Sequence, residues 1–236
     1  TTDGAGVKLV RVLGNLTTKE FDPILMLDSF DSINPDDYTA GFPMHPHRGI
    51  ETISYVSRGK MVHRDSLGNE AGISDGEVQW MNSGSGIMHE EMVPAAERLL
   101  GVQLWLNLPA KDKMSKPSYN SIKNEDIKEI EIEGGKIRLL AGKYGEHEGY
   151  KGDYLSMDYY DIHLNADAEV TLTMEEDDSV MVFTLLGDVY IDGEHIEEKT
   201  AVKLTEGDSL TIKNGNEKAQ VLYMNSRALN EPVAWA

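Results

Sequence analysis

Residues 41–51 read G-F-P-M-H-P-H-R-G-I-E, and residues 82–92 read N-S-G-S-G-I-M-H-E-E-M. Of the chain's 7 histidines, His45, His47, His63 and His89 all fall between these limits. His45/His47 and His89/Glu91 are pairs with i, i+2 spacing, and residues two apart on a β-strand point to the same face. Each pair offers two ligand atoms in one direction, and a hairpin or barrel would bring the two pairs together. Three imidazoles and one carboxylate suit a divalent transition metal, and neutral imidazole accepts Fe, Zn, Cu or Ni. An octahedral ion so held would keep positions for water, oxygen or substrate. A closed structural zinc site is instead tetrahedral and commonly uses Cys, which this chain lacks entirely.

Neighbouring residues compete for these roles. Strand parity puts Glu91 on the His89 face and Glu90 on the opposite, solvated one. His63 lies one strand further on, where it is either a partner of a ligand or simply exposed. Met44, Trp80 and Met81 are candidates for an apolar wall, or ordinary core. Arg48 is placed to pair with Glu51 or an anion. His147, His163 and His195 have no partner spacing.

Working outward, E-T-I-S-Y-V-S from Glu51 alternates Ile53 and Tyr55 against Thr52 and Ser54, the pattern of a half-buried strand. Arg58-Gly59-Lys60 and Asp75-Gly76 are turn signals. Val102-Gln103-Leu104-Trp105-Leu106 alternates again. From Pro109 the chain turns polar, and residues 109–129 read as a linker with a short helical turn near Glu125-Asp126. Strand patterns then resume to Met224, and no long 3.6-residue period occurs anywhere. Short strands with regular Gly, Asp and Asn turns predict an all-β barrel or sandwich.

The two halves also resemble each other. Gly59 and Asp75-Gly76 in the first have counterparts in Gly187 and Glu206-Gly207 in the second. Such a repeat predicts two tandem antiparallel β-barrels, residues 1–115 and 116–236. Anchored on those glycines, His45, His47, His89 and Glu91 project onto Thr173, Glu175, Gln220 and Leu222, which form no histidine-rich set. The first barrel is therefore expected to hold the site, and the second to be a structural copy.

Composition narrows the function classes. The chain has 236 residues with a net charge of −19, which repels phosphate backbones and anionic lipid, so no direct nucleic-acid partner is expected. No apolar run approaches the ~20 residues of a membrane span. With no signal peptide pattern and no Cys, a reducing, cytoplasmic location is expected. The opening Thr1 suggests a processed or trimmed start.

The runs H-P-H-R-G-I-E-T-I-S-Y, D-G-E-V-Q-W-M-N-S-G-S-G-I-M-H-E-E-M and V-Q-L-W-L-N-L-P closely resemble the pirin family of the cupin superfamily. So do G-A-G-V-K-L-V-R-V-L-G and F-D-P-I-L-M-L-D-S-F near the N-terminus, and G-D-V-Y-I and T-A-V-K-L-T-E-G-D-S-L in the second half. The resemblance implies a bicupin of two cupin (jelly-roll) domains with few short helices, and one mononuclear metal in the first. It implies His45, His47, His89 and Glu91 as ligands and Fe as the metal, with Zn, Ni, Cu, Mn or Co as substitutes. The general cupin spacing H-x-H-x3-E makes Glu51 a rival, so Glu51 and His63 are kept as outer partners of the site. Family activities divide between quercetin 2,3-dioxygenase-type ring opening and transcriptional co-regulation. The first implies a flavonol-like phenol and O2 as substrates, with Glu91 as catalytic base. The second implies a non-catalytic metal-binding module with a protein partner. A monomer is expected. The family pattern continues past Glu231-Pro232-Val233 with a Gly-Pro-containing segment and a helix, whereas this sequence ends at Ala236.

Overall fold

The computed structural model describes residues 1–235. Nearly every element is a β-strand, and the helical content is three short turns at Pro35–Asp37, Ala110–Asp112 and Asn124–Asp126. No helix among the described residues is long and apolar enough to cross a membrane. The strands form two compact units, each built of one six-stranded and one four-stranded antiparallel sheet together with one two-stranded ribbon.

In the first unit the six-stranded sheet runs in the order Ser118–Ile122, Glu77–Asn82, Ile50–Arg58, Leu99–Asn107, Ile24–Ser32, Val10–Leu13. The four-stranded sheet runs Phe42–His47, Ile87–Met92, Lys60–Asp65, Glu70–Ser74. Phe30, Val56 and Leu99 of the larger sheet pack with Phe42, Met61 and Ile73 of the smaller. Burying such side chains contributes roughly 1.5–3 kcal/mol each before entropy is counted.

The second unit repeats this plan. Its larger sheet runs Lys128–Ile132, Gly135–Ala141, Asp158–Leu164, Ala219–Arg227, Asp178–Leu186, Ala201–Leu204. Its smaller sheet runs Glu169–Thr173, Ser209–Asn214, Val189–Ile191, Glu194–Ile196. Both smaller sheets thus list their strands in the same chain-order sense, which fixes the equivalences between them.

The division between the units falls after Asn124, within the expected linker 109–129, and the first unit takes in the chain again from Asn230 onward. Three expectations change. Part of the expected linker is a strand, because Ser118–Ile122 pairs residue by residue with Val78–Asn82; its polar composition belongs to an edge strand, whose outer side faces no partner. The Ile50–Arg58 strand is buried on both faces, since Thr52 and Ser54 are as covered as Ile53 and Tyr55. Ser54 points its hydroxyl at Gln79 and Gln103 rather than at water.

The third change concerns the projection between halves. Asp75-Gly76 launches Glu77–Asn82 in a six-stranded sheet, whereas Glu206-Gly207 precedes Ser209–Asn214 in a four-stranded one. The two acidic-Gly turns share chemistry but not position. Strand register gives the correct counterparts. His89 pairs with His45, as Leu210 pairs with Leu172. Glu91 pairs with His63, as Ile212 pairs with Ile191. Gln103 pairs with Ser54, as Tyr223 pairs with Val182. The counterparts Leu172, Ile191, Leu210, Ile212, Val182 and Tyr223 all belong to the second unit's apolar core, with Met174 at the His47 position packed against it.

Candidate metal centre

The Ile87–Met92 strand alternates strictly between buried and more exposed positions. Ile87, His89 and Glu91 point inward at 1–4% exposure, while Met88 and Met92 face outward at 40% and 41%. Parity therefore assigns Glu91 inward as expected; Glu90 sits half-buried beside Arg64 at 3.7 Å. On the neighbouring Phe42–His47 strand the register slips between the His89/His45 and Glu91/Phe42 pairs. This β-bulge falls at Pro43, which has no N–H to give the ladder. Its carbonyl instead lies 2.8 Å from His45 Nδ1. Gly41, at φ +64, immediately precedes the strand at a point where an added Cβ would sit 2.8 Å from the Glu91 carbonyl oxygen, so only glycine fits.

These strands bring three imidazoles together. His45 Nε2 lies 3.1 Å from His47 Nε2 and 3.0 Å from His89 Nε2. Among the described residues, His45, His47 and His89 form the group of ligand-type side chains whose donor atoms all fall within 4.8 Å of one another. Burial, reinforced by the nearby His45, pushes the His47 ring down to about 4, and burial with the neighbouring histidines pushes His89 down to about 2. Both rings are neutral at physiological pH, the form that ligates metals. Pro43 O can only accept, so a neutral His45 carries its proton on Nδ1 and turns a bare Nε2 lone pair to the cluster. Nitrogens held at ~2.1 Å on adjacent positions of one ion lie about 3 Å apart. The donor set and its spacing fit a divalent transition metal.

Glu91 occupies the same inward face but lies outside the three-histidine group. Its carboxylate accepts hydrogen bonds from Gln79 Nε2 and, at 3.0 and 3.1 Å, from Gln103 Nε2. Ser54 accepts from both amides, and Tyr119 donates to Gln79 Oε1 at 3.3 Å. Burial raises the Glu91 carboxyl above the usual carboxylate range, against the opposing pull of the Gln103 and Gln79 amide bonds and of nearby His45. A carboxylate so placed is more basic than one in water.

His63 is fully buried and touches the cluster through His89, Nδ1 to Nδ1 at 3.3 Å. Its Nε2 lies 2.7 Å from Asp65 Oδ2, and its ring stacks on Tyr119 at 3.9 Å. Glu51 is buried yet stands outside the histidine group. The Trp105 ring meets His47 edge-on at 5.3 Å, and Trp235 stacks on Trp105 at 5.7 Å. Met44 is 48% exposed and walls no interior, whereas Trp80 and Met81 are core. Arg48 points a guanidinium at the Met114 sulfur rather than at Glu51. Gln79, Gln103, Asp65 and Tyr119 were not singled out by the sequence. Period 2 from His63 could have found Asp65; the two glutamines sit in strands where polar residues read as solvent-facing.

Two cupin-type units with one histidine cluster in the first define a bicupin. The Pirin family model matches residues 6–106, and the Pirin C-terminal cupin domain matches residues 159–236. The chain belongs to the pirin family. A Pseudomonas aeruginosa protein provisionally named as a quercetin 2,3-dioxygenase is 39% identical over 98% of this chain and 85% of its own length. The crystal structure of a quercetin 2,3-dioxygenase from Acinetobacter baumannii is similar at a TM-score of 0.89 and 30% identity, over 100% of this chain and 86% of that one. A bacterial pirin from Escherichia coli, solved in complex with nickel(II), shares the fold at a TM-score of 0.74 and 20% identity, over 98% and 95% of the two chains.

Proposed function

We propose that this chain is a metal-dependent oxygenase of the quercetin 2,3-dioxygenase type, opening the ring of a flavonol-like phenol with O2. The observation that carries the reading is the convergence of the His45, His47 and His89 nitrogens within 4.8 Å of one another, in one unit only among the described residues, with His45 Nε2 about 3 Å from each of the other two. His45, His47 and His89 would hold the metal through Nε2, with Glu91 as the fourth ligand and Fe as the metal. The nickel(II) of the Escherichia coli pirin and the name of the Acinetobacter enzyme support a divalent metal and this reaction class. When bound, the metal supplies Lewis acidity that lowers the pKa of a phenolic hydroxyl and a centre at which O2 can react.

The chain's own groups supply the remainder. Glu91, its carboxyl made more basic by burial, takes the hydroxyl proton of the phenol on a carboxylate oxygen. Gln79 and Gln103 keep that carboxylate in place through their amide donors. Trp105, beside His47, gives an aromatic flank against which a planar phenol can lie.

The test is oxygen consumption by iron-loaded protein with quercetin, in the parent and in Glu91→Gln. The account expects uptake in the parent and a drop in the variant larger than its drop in iron content. An iron-loaded protein that consumes no oxygen with any phenol overturns the oxygenase reading, and metal-dependent capture of a protein partner would then favour a regulatory module.

A further inference from the structure

The cluster histidines differ in what stands behind them. His45 has a backbone carbonyl at its Nδ1. His89 has a second buried imidazole, and that imidazole has a carboxylate. We infer that Asp65 and His63 act as positioning residues that set the tautomer of His89 and thereby aim its bare Nε2 at the histidine cluster; this rests on the metal reading of that cluster.

The direction of each hydrogen bond in this row is fixed by the group at its end. Asp65 accepts at every contact it makes here. Its Oδ1 takes the Leu67 N–H at 2.9 Å and the Asn69 N–H at 3.1 Å, and its Oδ2 takes the Asn69 amide at 2.8 Å. An ionised carboxylate has no proton to give. The remaining contact on Oδ2, 2.7 Å from His63 Nε2, must therefore be an N–H donated by His63. A neutral His63 protonated on Nε2 has a lone pair on Nδ1, and that atom faces His89 Nδ1 at 3.3 Å. His89 must be the donor there, so its own proton sits on Nδ1 and its Nε2 is bare. That Nε2 is the atom 3.0 Å from His45 Nε2.

Two further observations show that this chain is built. The stack of the fully buried His63 ring on Tyr119, 3.9 Å apart and 12° from parallel, holds the plane of the ring. Register supplies the spacing, because His89 stands directly opposite Asp65 and Glu91 opposite His63 on the adjoining strands. Histidine ligands generally donate their second N–H to a carboxylate, carbonyl or water, and losing that partner lowers metal affinity roughly 10- to 100-fold. Here the carboxylate is reached through an intervening ring, so Asp65 fixes the His89 tautomer through His63 without placing its charge in the site. In the second unit Ile191 stands at the His63 position, so the whole relay is absent where the histidines are.

The decisive change is Asp65→Asn. An asparagine keeps a carbonyl oxygen for the Leu67 and Asn69 backbone donors and offers N–H to His63 Nε2, with the Asn69 side-chain amide, which donates to Oδ2 in the parent, turning over to accept with its oxygen. The chain then reverses: His63 would donate from Nδ1, and His89 would accept there and carry its proton on Nε2, pointing into the cluster. Replacing a carboxylate by its amide behind an imidazole is known to act through the wrong tautomer while the geometry stays intact.

The experiment is long-range 1H–15N NMR of histidine-labelled, metal-free protein, with cobalt(II) affinity measured by competition. The expected parent spectrum has His89 protonated on Nδ1 and His63 on Nε2. In Asp65→Asn the His89 proton moves to Nε2 and cobalt(II) binds roughly 10- to 100-fold more weakly, with the thermal unfolding of the metal-free protein retained. A parent His89 protonated on Nε2, or an Asp65→Asn protein with the parent tautomers and parent affinity, overturns the inference. Should the variant fail to fold, the parent spectrum alone decides. The predicted tautomers in a parent that takes up no cobalt(II) would support the tautomer assignment and overturn the metal reading.

Discussion

The two units share one strand plan and diverge where their strands point inward. His45, His47, His63, His89 and Glu91 in the first are matched by Leu172, Met174, Ile191, Leu210 and Ile212 in the second. Ser54 and Gln103, which surround the Glu91 carboxylate, are matched by Val182 and Tyr223. The second unit shows that this architecture closes well on an apolar interior. The first has exchanged that interior for buried imidazoles, amides and a carboxylate, each of which costs free energy unless it finds a partner. The polar set is thus not what folds the unit, and its partners are the ones a metal site needs.

The comparison breaks most visibly at the histidines. His89→Ala should remove bound metal altogether, an effect larger than the ~10- to 100-fold typical of outer partners, read as metal per chain by elemental analysis. Full metal content in that variant would show that the cluster is not the site. Next comes Glu91→Gln, for which turnover should fall by ~10²–10⁴, the range of a lost general base, with a smaller fall in metal content. Equal losses of both would make Glu91 a ligand without a proton-transfer role.

The counterpart change in the second unit, Leu210→Ala, should do the reverse. It should lower stability by roughly 2–5 kcal/mol in denaturant titration through a core cavity, while metal content stays at the parent value. Loss of metal there would mean that the units are not energetically separate. The smallest effect concerns Glu77, buried in the first unit. Burial works to raise its carboxyl, but bonds from the Asn124 and Ser74 N–H groups, the Ser74 hydroxyl and Lys123 leave it below its ordinary 4.5. A depressed carboxylate gives stability that is present above the unfolded value and lost as pH falls through the folded one. Glu77→Gln should therefore lower stability by roughly 1–3 kcal/mol at neutral pH and flatten the acid side of the stability curve below about 4.5. An unchanged acid limb would show that Glu77 is not one of the groups driving acid unfolding.

How much of this was legible in the sequence depends on what alternation means. For Ile87–Met92 the period-2 rule placed Glu91 on the His89 face and Glu90 on the opposite one, and the buried–exposed alternation of the strand agrees. The two-copy, all-β plan was also legible from turns and strand lengths. The same rule misread Ile50–Arg58, where Thr52 and Ser54 are buried. In a barrel that lines a polar site, the polar face is the inner one, and sequence alone does not say which face looks at water. Gln79 and Gln103 escaped notice for the same reason. Turn chemistry misled the projection between halves, since an acidic-Gly pair reports a tight turn and not which strand it launches. The polar Ser118–Ile122 segment read as linker because an edge strand needs little apolar surface to stay paired.

The central claim is that the first unit holds one metal through His45, His47 and His89 while the second holds none. Elemental analysis of the purified protein, followed by cobalt(II) titration of the parent beside His89→Ala, tests it most directly. The account predicts one metal per chain in the parent and none in the variant. A folded parent that carries no metal and takes up no cobalt(II), or a variant that binds as the parent does, would contradict it.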